Sequence, residues 1–229
     1  MSKSDFELSQ KRLFDRFYDE LLEKLMLFVE YLVEDEDDEA YEARGAIVGY
    51  IIDVYTQSFY DEVQFILEAL DVPVTQQELI NIQNSVDTSA FAISNRGRLT
   101  SILVTYEGQI KQRKLEEGDN FDKETAVADF VASLVRLSTS EIHMSVEKAS
   151  VQGAKLLQST LGIRLNKTWN CTGDERSCKT CLALDGTTVP VDEPFITTFT
   201  DDYKSLAYTG GDTTYAHPRC RCWTTYSTA

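Results

Sequence analysis

The sequence predicts an α+β protein, a mainly α-helical body followed by a small, irregular, β-containing C-terminal module. Three observations predict it. Long stretches before residue 165 repeat apolar residues at helical spacing. After Gly162 the composition shifts to Thr, Gly, Asp and Pro, the residues of turns and short strands. All five cysteines and one of the two histidines follow residue 165. The expected organisation is a helical body over 1–165 and a Cys/His-containing module over 166–229. A chain of 229 residues, 42% hydrophobic and 10% aromatic, can bury a substantial core.

The first element is a long amphipathic helix from Asp5 to Val33. Phe14, Phe17, Tyr18, Leu21, Leu25, Phe28 and Leu32 share a stripe, which Leu22, Met26 and Val29 widen. That width leaves room for a partner as well as the core. The run Glu34–Glu39 repels itself and reads as a solvated turn or link. A second helix from Ala40 to Leu70 turns Ile47, Ile51, Val54, Phe59, Val63 and Ile66 inward, and Gly45 and Gly49 suggest a close helix approach. Pro73 stops it, and Thr75 with Glu78 forms a capping box that starts a short helix to Ile82. A third long segment from Thr88 to Glu117 contains Phe91, Ile93, Leu99, Ile102, Leu103, Tyr106 and Ile110, with Gly97 and Gly108 as weak points. Asp122 caps a last long helix that Gly162 ends. Asp185-Gly186 reads as a turn into a strand at Thr187–Val191, and a long polar loop from Thr197 to Tyr215 turns at Gly210-Gly211-Asp212.

Formal charge is −16, of which the first 165 residues carry −14 and the remainder −2. Such a surface repels phosphate at long range, which argues against non-specific DNA packaging and suits a basic protein partner or plain solubility. No apolar run has transmembrane length and no signal peptide opens the chain, so synthesis and folding in the cytoplasm are expected. Thiols stay reduced there, which favours a metal or free cysteines over disulfides.

Cys178-x-x-Cys181 and His217-Pro218-x-Cys220-x-Cys222 are two short knuckles separated by a loop, the arrangement that a tetrahedral Zn²⁺ site requires. Cys178, Cys181 and Cys220, with either His217 or Cys222, would close a four-ligand structural site. Free or disulfide-linked thiols are the alternative. Cys171 reads as a small packed hydrophobe, Trp169 and Trp223 as rings over the site, and His143 as a surface residue. Asp174 and Arg176 bracket a tight turn and invite an ion pair. Catalysis is not expected. Arg136 and Ser138-Thr139-Ser140 superficially resemble the Arg and Ser-Thr-Ser of ADP-ribosyltransferases, but the pattern is helical and no Glu-x-Glu follows. A cysteine nucleophile lacks a histidine in the expected context.

Trp169, Asp174, Arg176, Cys178, Cys181, Asp185 and Gly186, closing with His217-Pro218-x-Cys220-Arg221-Cys222, resemble the C-terminal signature of the phage Mu F-like minor head proteins, also called phage head morphogenesis proteins. The resemblance covers roughly the last quarter of the chain, and Cys171 is additional to the pattern. Arg136, Thr139 and Glu141 match the family's helix more loosely.

The resemblance implies a minor structural protein of a tailed-phage head. It would sit inside the capsid near the portal and act in head assembly or genome delivery. Its partners would be the portal protein or other head proteins, with packaged DNA contacted indirectly at most. The N-terminal segment, with the widest stripe and most of the charge, is expected to make the main contact. The alternative is a zinc-ribbon-like adaptor that binds protein or nucleic acid.

Overall fold

A computed structural model describes residues 3–175, 177–195, 211–214 and 220–229, with α1 side chains described at Lys11 and from Asp15 onward. Its elements are α1 (Lys3–Glu34), α2 (Asp37–Ala69), α3 (Gln76–Asn84), α4 (Ser89–Glu117), α5 (Lys123–Leu161), β1 (Leu165–Asn170), α6 (Lys179–Leu184), β2 (Thr188–Pro190) and β3 (Trp223–Thr228). The protein is α+β and mainly helical, as the apolar spacing predicts. The composition change at residue 165 falls where α5 has ended and β1 begins. Two compact units form. One gathers Met1–Phe14, Tyr55–Val86 and His143–Ala229; the other gathers Asp15–Val54 and Asp87–Ile142.

In the second unit most of the α1 stripe is core: Leu21, Leu25, Phe28, Val29, Leu32 and Val33 are buried, while Leu22 and Met26 are half-buried and Leu27 is 43% exposed. The acidic run is also not simply a solvated link. Only Asp35 and Glu36 lie between helices, with Asp35 in the left-handed region at φ 65°. Asp37, Asp38 and Glu39 form the first turn of α2, where carboxylates complement the helix dipole. Lys114 donates to Asp35 at 2.6 Å and to the Leu32 carbonyl at 3.0 Å, while Lys111 pairs with Asp37 at 2.8 Å. The cations of α4 thus neutralise this corner.

α4 continues unbroken through Gly97 and Gly108. Its buried face is Phe91, Asn95, Leu99, Leu103 and Ile110. Ile93 is 76% exposed. Glu141 is buried and takes a two-pronged ion pair from Arg98, not from Arg136, which bonds the Ser133 hydroxyl.

The first unit holds α3, the C-terminal parts of α2 and α5, and every element from β1 onward. The expected capping box is present: the Glu78 amide donates to Thr75 Oγ1 at 3.3 Å, and the Thr75 amide donates to Glu78 Oε2 at 2.8 Å. α5 lies against α2 at Gly153, where a Cβ would stand 2.9 Å from Val63 Cγ2. Gly45 and Gly49 have nothing within 4 Å of an added Cβ, so the close approach expected at them occurs at Gly153 instead. The sheet is antiparallel in the order β2-β1-β3. Trp169 pairs with Thr224, and Thr168 with both Thr188 and Thr225. β2 was expected, whereas β1 and β3 were not. Their alternation is masked because each carries polar residues on both faces.

Candidate metal centre

The turn at Asp185-Gly186 sets the first half of the site. Gly186, at φ 77°, donates to the Trp169 carbonyl at 2.8 Å, and Trp169 donates to the Thr187 carbonyl at 2.9 Å. A positive φ is comfortable only for glycine. The Asp185 carboxylate accepts the Cys171 amide at 2.7 Å, tying the end of β1 to the end of α6. Cys178 N-caps α6, its Sγ accepting the Cys181 amide at 3.3 Å. Cys181 therefore turns back toward Cys178 over one tight turn.

The second half enters from the approach to β3. In extended chain, alternate side chains share a face. Cys220 and Cys222 are accordingly buried, while Arg221 points the other way. Arg221 grips both oxygens of Asp174, at 2.5 and 2.8 Å. That pair clamps the turn before α6 to the segment before β3. Asp174 also accepts the Ser177 hydroxyl at 3.3 Å.

The thiols meet inside this clamp. The sulfurs of Cys181, Cys220 and Cys222 all lie within 4.8 Å of one another, with Cys181 and Cys220 at 3.7 Å. Cys178, half-buried, borders Cys181. All five cysteines are free, so the disulfide alternative is not realised here. Trp169, Met144, Cys171, Leu184 and Phe195 pack around the thiols, with Trp169 edge-on to Phe195 at 5.3 Å. Cys171 is thus a packed hydrophobe, as expected. The neighbouring thiols and burial push Cys181 and Cys222 well above the usual thiol range. A bound divalent cation inverts that preference and holds the thiolates. His217, Pro218 and Arg176 lie outside the described residues.

A polar layer from α5 backs the centre. His143, read from the sequence as a surface residue, is half-buried, and its Nε2–H donates to the Cys222 carbonyl at 2.9 Å. Glu147, one turn on, is fully buried. Its Oε2 accepts the hydroxyls of Thr214 and of Thr224, the latter at 2.9 Å. Among the described residues its Oε1 has no hydrogen-bond partner. Burial raises its pKa, offset in part by His143 and the two threonines. Thr214 also takes the Cys220 thiol on its carbonyl at 3.1 Å, so Glu147 reaches the cluster through one residue. Further along, Ser150 donates to Glu62 at 2.9 Å and meets the Tyr226 hydroxyl at 3.0 Å. His143, Glu147 and Ser150 follow one another at helical spacing, the signal that could have marked this face.

On the other side, Lys167 is fully buried. It donates to the Asp212 carbonyl at 2.8 Å and lies 4.9 Å from the centre of the Phe195 ring. Burial drives its pKa down to about 8.

The family described as phage Mu protein F like protein matches residues 107–225, from within α4 into β3. The chain belongs to this family. It is a protein of phage head morphogenesis. No curated protein and no solved structure matches it. The match takes in the thiol cluster, the Asp174–Arg221 clamp and the polar layer of α5. The Mu F-like region is therefore more than the cysteine knuckles, since it includes the long helix that backs them.

Proposed function

We propose that this Mu F-like protein is a non-catalytic minor structural protein of a tailed-phage head. It sits inside the capsid near the portal and acts in head assembly or genome delivery. The family match over residues 107–225 carries the reading. A structural role also agrees with how the reactive groups are used. The imidazole of His143 bonds the Cys222 backbone carbonyl, and Glu147 holds two threonines, contacts that position the chain around the thiols. On the same reading the cysteine cluster holds a structural Zn²⁺, which cross-links a module with little apolar mass.

The partner is the portal or another head protein. Because most of the α1 stripe is buried, the contact is placed on exposed side chains of the helical body, Tyr41 and the α4 residues Ile93 and Leu115 foremost. Buried aromatic and aliphatic anchors supply most affinity at such contacts.

The test is to purify phage heads and probe them for the chain before and after the capsid is opened. Protection from protease in intact heads, lost on opening, together with cross-linking to the portal, is expected. Absence from purified heads would overturn the reading. Ile93→Glu with Leu115→Glu should lower incorporation severalfold while the circular dichroism of the variant stays that of the wild type.

A further inference from the structure

We propose that Cys178, Cys181, Cys220 and Cys222 hold one Zn²⁺ as a closed four-sulfur centre that does not use His217. The inference rests on the structural-zinc reading above and names the ligands of that site. A Zn–S bond is about 2.3 Å, so the sulfurs of a tetrahedral centre stand about 3.8 Å apart. The Cys181 and Cys220 sulfurs stand at 3.7 Å. A disulfide would need about 2.05 Å. Three sulfurs already share one buried point within 4.8 Å. The fourth corner goes to Cys178, whose sulfur borders that of Cys181.

Two features support Cys178 further. Its sulfur accepts the Cys181 amide at 3.3 Å, an N–H to sulfur bond that stabilises a thiolate. It is also the least buried of the four. Four thiolates complete the tetrahedron, so a structural site has no position left for imidazole.

The charges balance as follows. Zn²⁺ replaces four S–H protons, which leave for solvent, and the centre keeps a charge of 2−. Arg221, on the opposite face, stays paired with Asp174 and holds the two knuckles together. His143 on the Cys222 carbonyl and Glu147 on Thr214 and Thr224 orient the second knuckle, as outer partners do for metal ligands.

The full-length chain is purified from zinc-supplemented medium, its metal content measured, and the metal exchanged for Co²⁺. One metal per chain is expected, with the absorption bands of a four-sulfur Co²⁺ site. His217→Ala and Cys171→Ser should keep both the stoichiometry and the spectrum. Cys178→Ser should shift the bands to shorter wavelength and weaken metal retention at least tenfold. A spectrum that moves with His217→Ala and not with Cys178→Ser would overturn the ligand set. Wild-type protein that carries no metal and titrates five free thiols in its native state would overturn the centre itself. These measurements use the isolated chain, so they fail or succeed independently of whether the protein enters heads.

Discussion

Lys167 carries a charge that its surroundings disfavour. Its folded pKa is about 8, because burial outweighs the attraction of Asp212. In an unfolded chain lysine titrates near 10.4. The folded state binds the proton less tightly, so the penalty is fully present below pH 8 and is relieved as pH rises toward about 10. The gap corresponds to roughly 3 kcal/mol. Lys167→Met should therefore gain on the wild type most at pH 7, and the gain should shrink between pH 8 and 10. Denaturant unfolding at a series of pH values reads this directly, and a gain that is flat with pH would refute it. Glu147 behaves in the opposite sense along the pH axis. Burial raises its pKa, so the cost of its charge is absent in acid and appears as pH rises past the ordinary carboxylate range. The stability of Glu147→Gln relative to wild type should increase with pH above about 4.3. Equal pH profiles for the two proteins would show that the carboxyl is hydrated. The thiols were legible in the sequence because cysteine spacing announces chemistry. Glu147 and Lys167 were not, because a charged side chain gives no sign of burial until the fold closes over it.

Helices make the contrast between two kinds of glycine. Gly97 and Gly108 lie on the exposed side of α4, with nothing within 4 Å of an added Cβ. Alanine there should stabilise by about 0.5–1 kcal/mol, since the helix loses a flexible position and gains no clash. Gly153 on α5 is the reverse. A Cβ would meet Val63 Cγ2 at 2.9 Å, and overpacking of this kind costs about 1–3 kcal/mol. Gly153→Ala should lower the thermal midpoint, and Gly153→Ala with Val63→Ala should recover part of the loss. The existence and extent of α1 to α5 were legible from apolar spacing and from caps such as Thr75 with Glu78, to within a few residues, whereas the short α6 was not. Close approach was not, because Gly45, Gly49 and Gly153 look alike in sequence and only the neighbour across the gap tells them apart.

Taken whole, the chain is acidic, with −14 of its formal charge in the first 165 residues. With −16 overall, it should not be retained on immobilised double-stranded DNA at about 150 mM salt, where counterion release favours only basic surfaces. Retention that weakens as salt rises would contradict this and favour a nucleic-acid adaptor. The Mu F-like module was legible as a motif, because its residues are chemically unusual and their order is long. Its sheet was not, because β1 and β3 pair across more than fifty residues and each alone is a short polar segment. The separation of the knuckles has a further consequence. Cys181 and Cys220 stand 39 positions apart in the chain, yet their sulfurs are in contact. Doubling the length of such an excursion costs only about 0.6 kcal/mol of closure entropy. A metal cross-link between the knuckles would offset that several times over, since bridging a loop of this length contributes about 4 kcal/mol by the same chain statistics. The excursion is nevertheless not idle chain, because Asp185, β2, Phe195 and Thr214 lie within it and tie the two knuckles to the sheet and to α5. A metal there would lock together contacts that the excursion itself supplies.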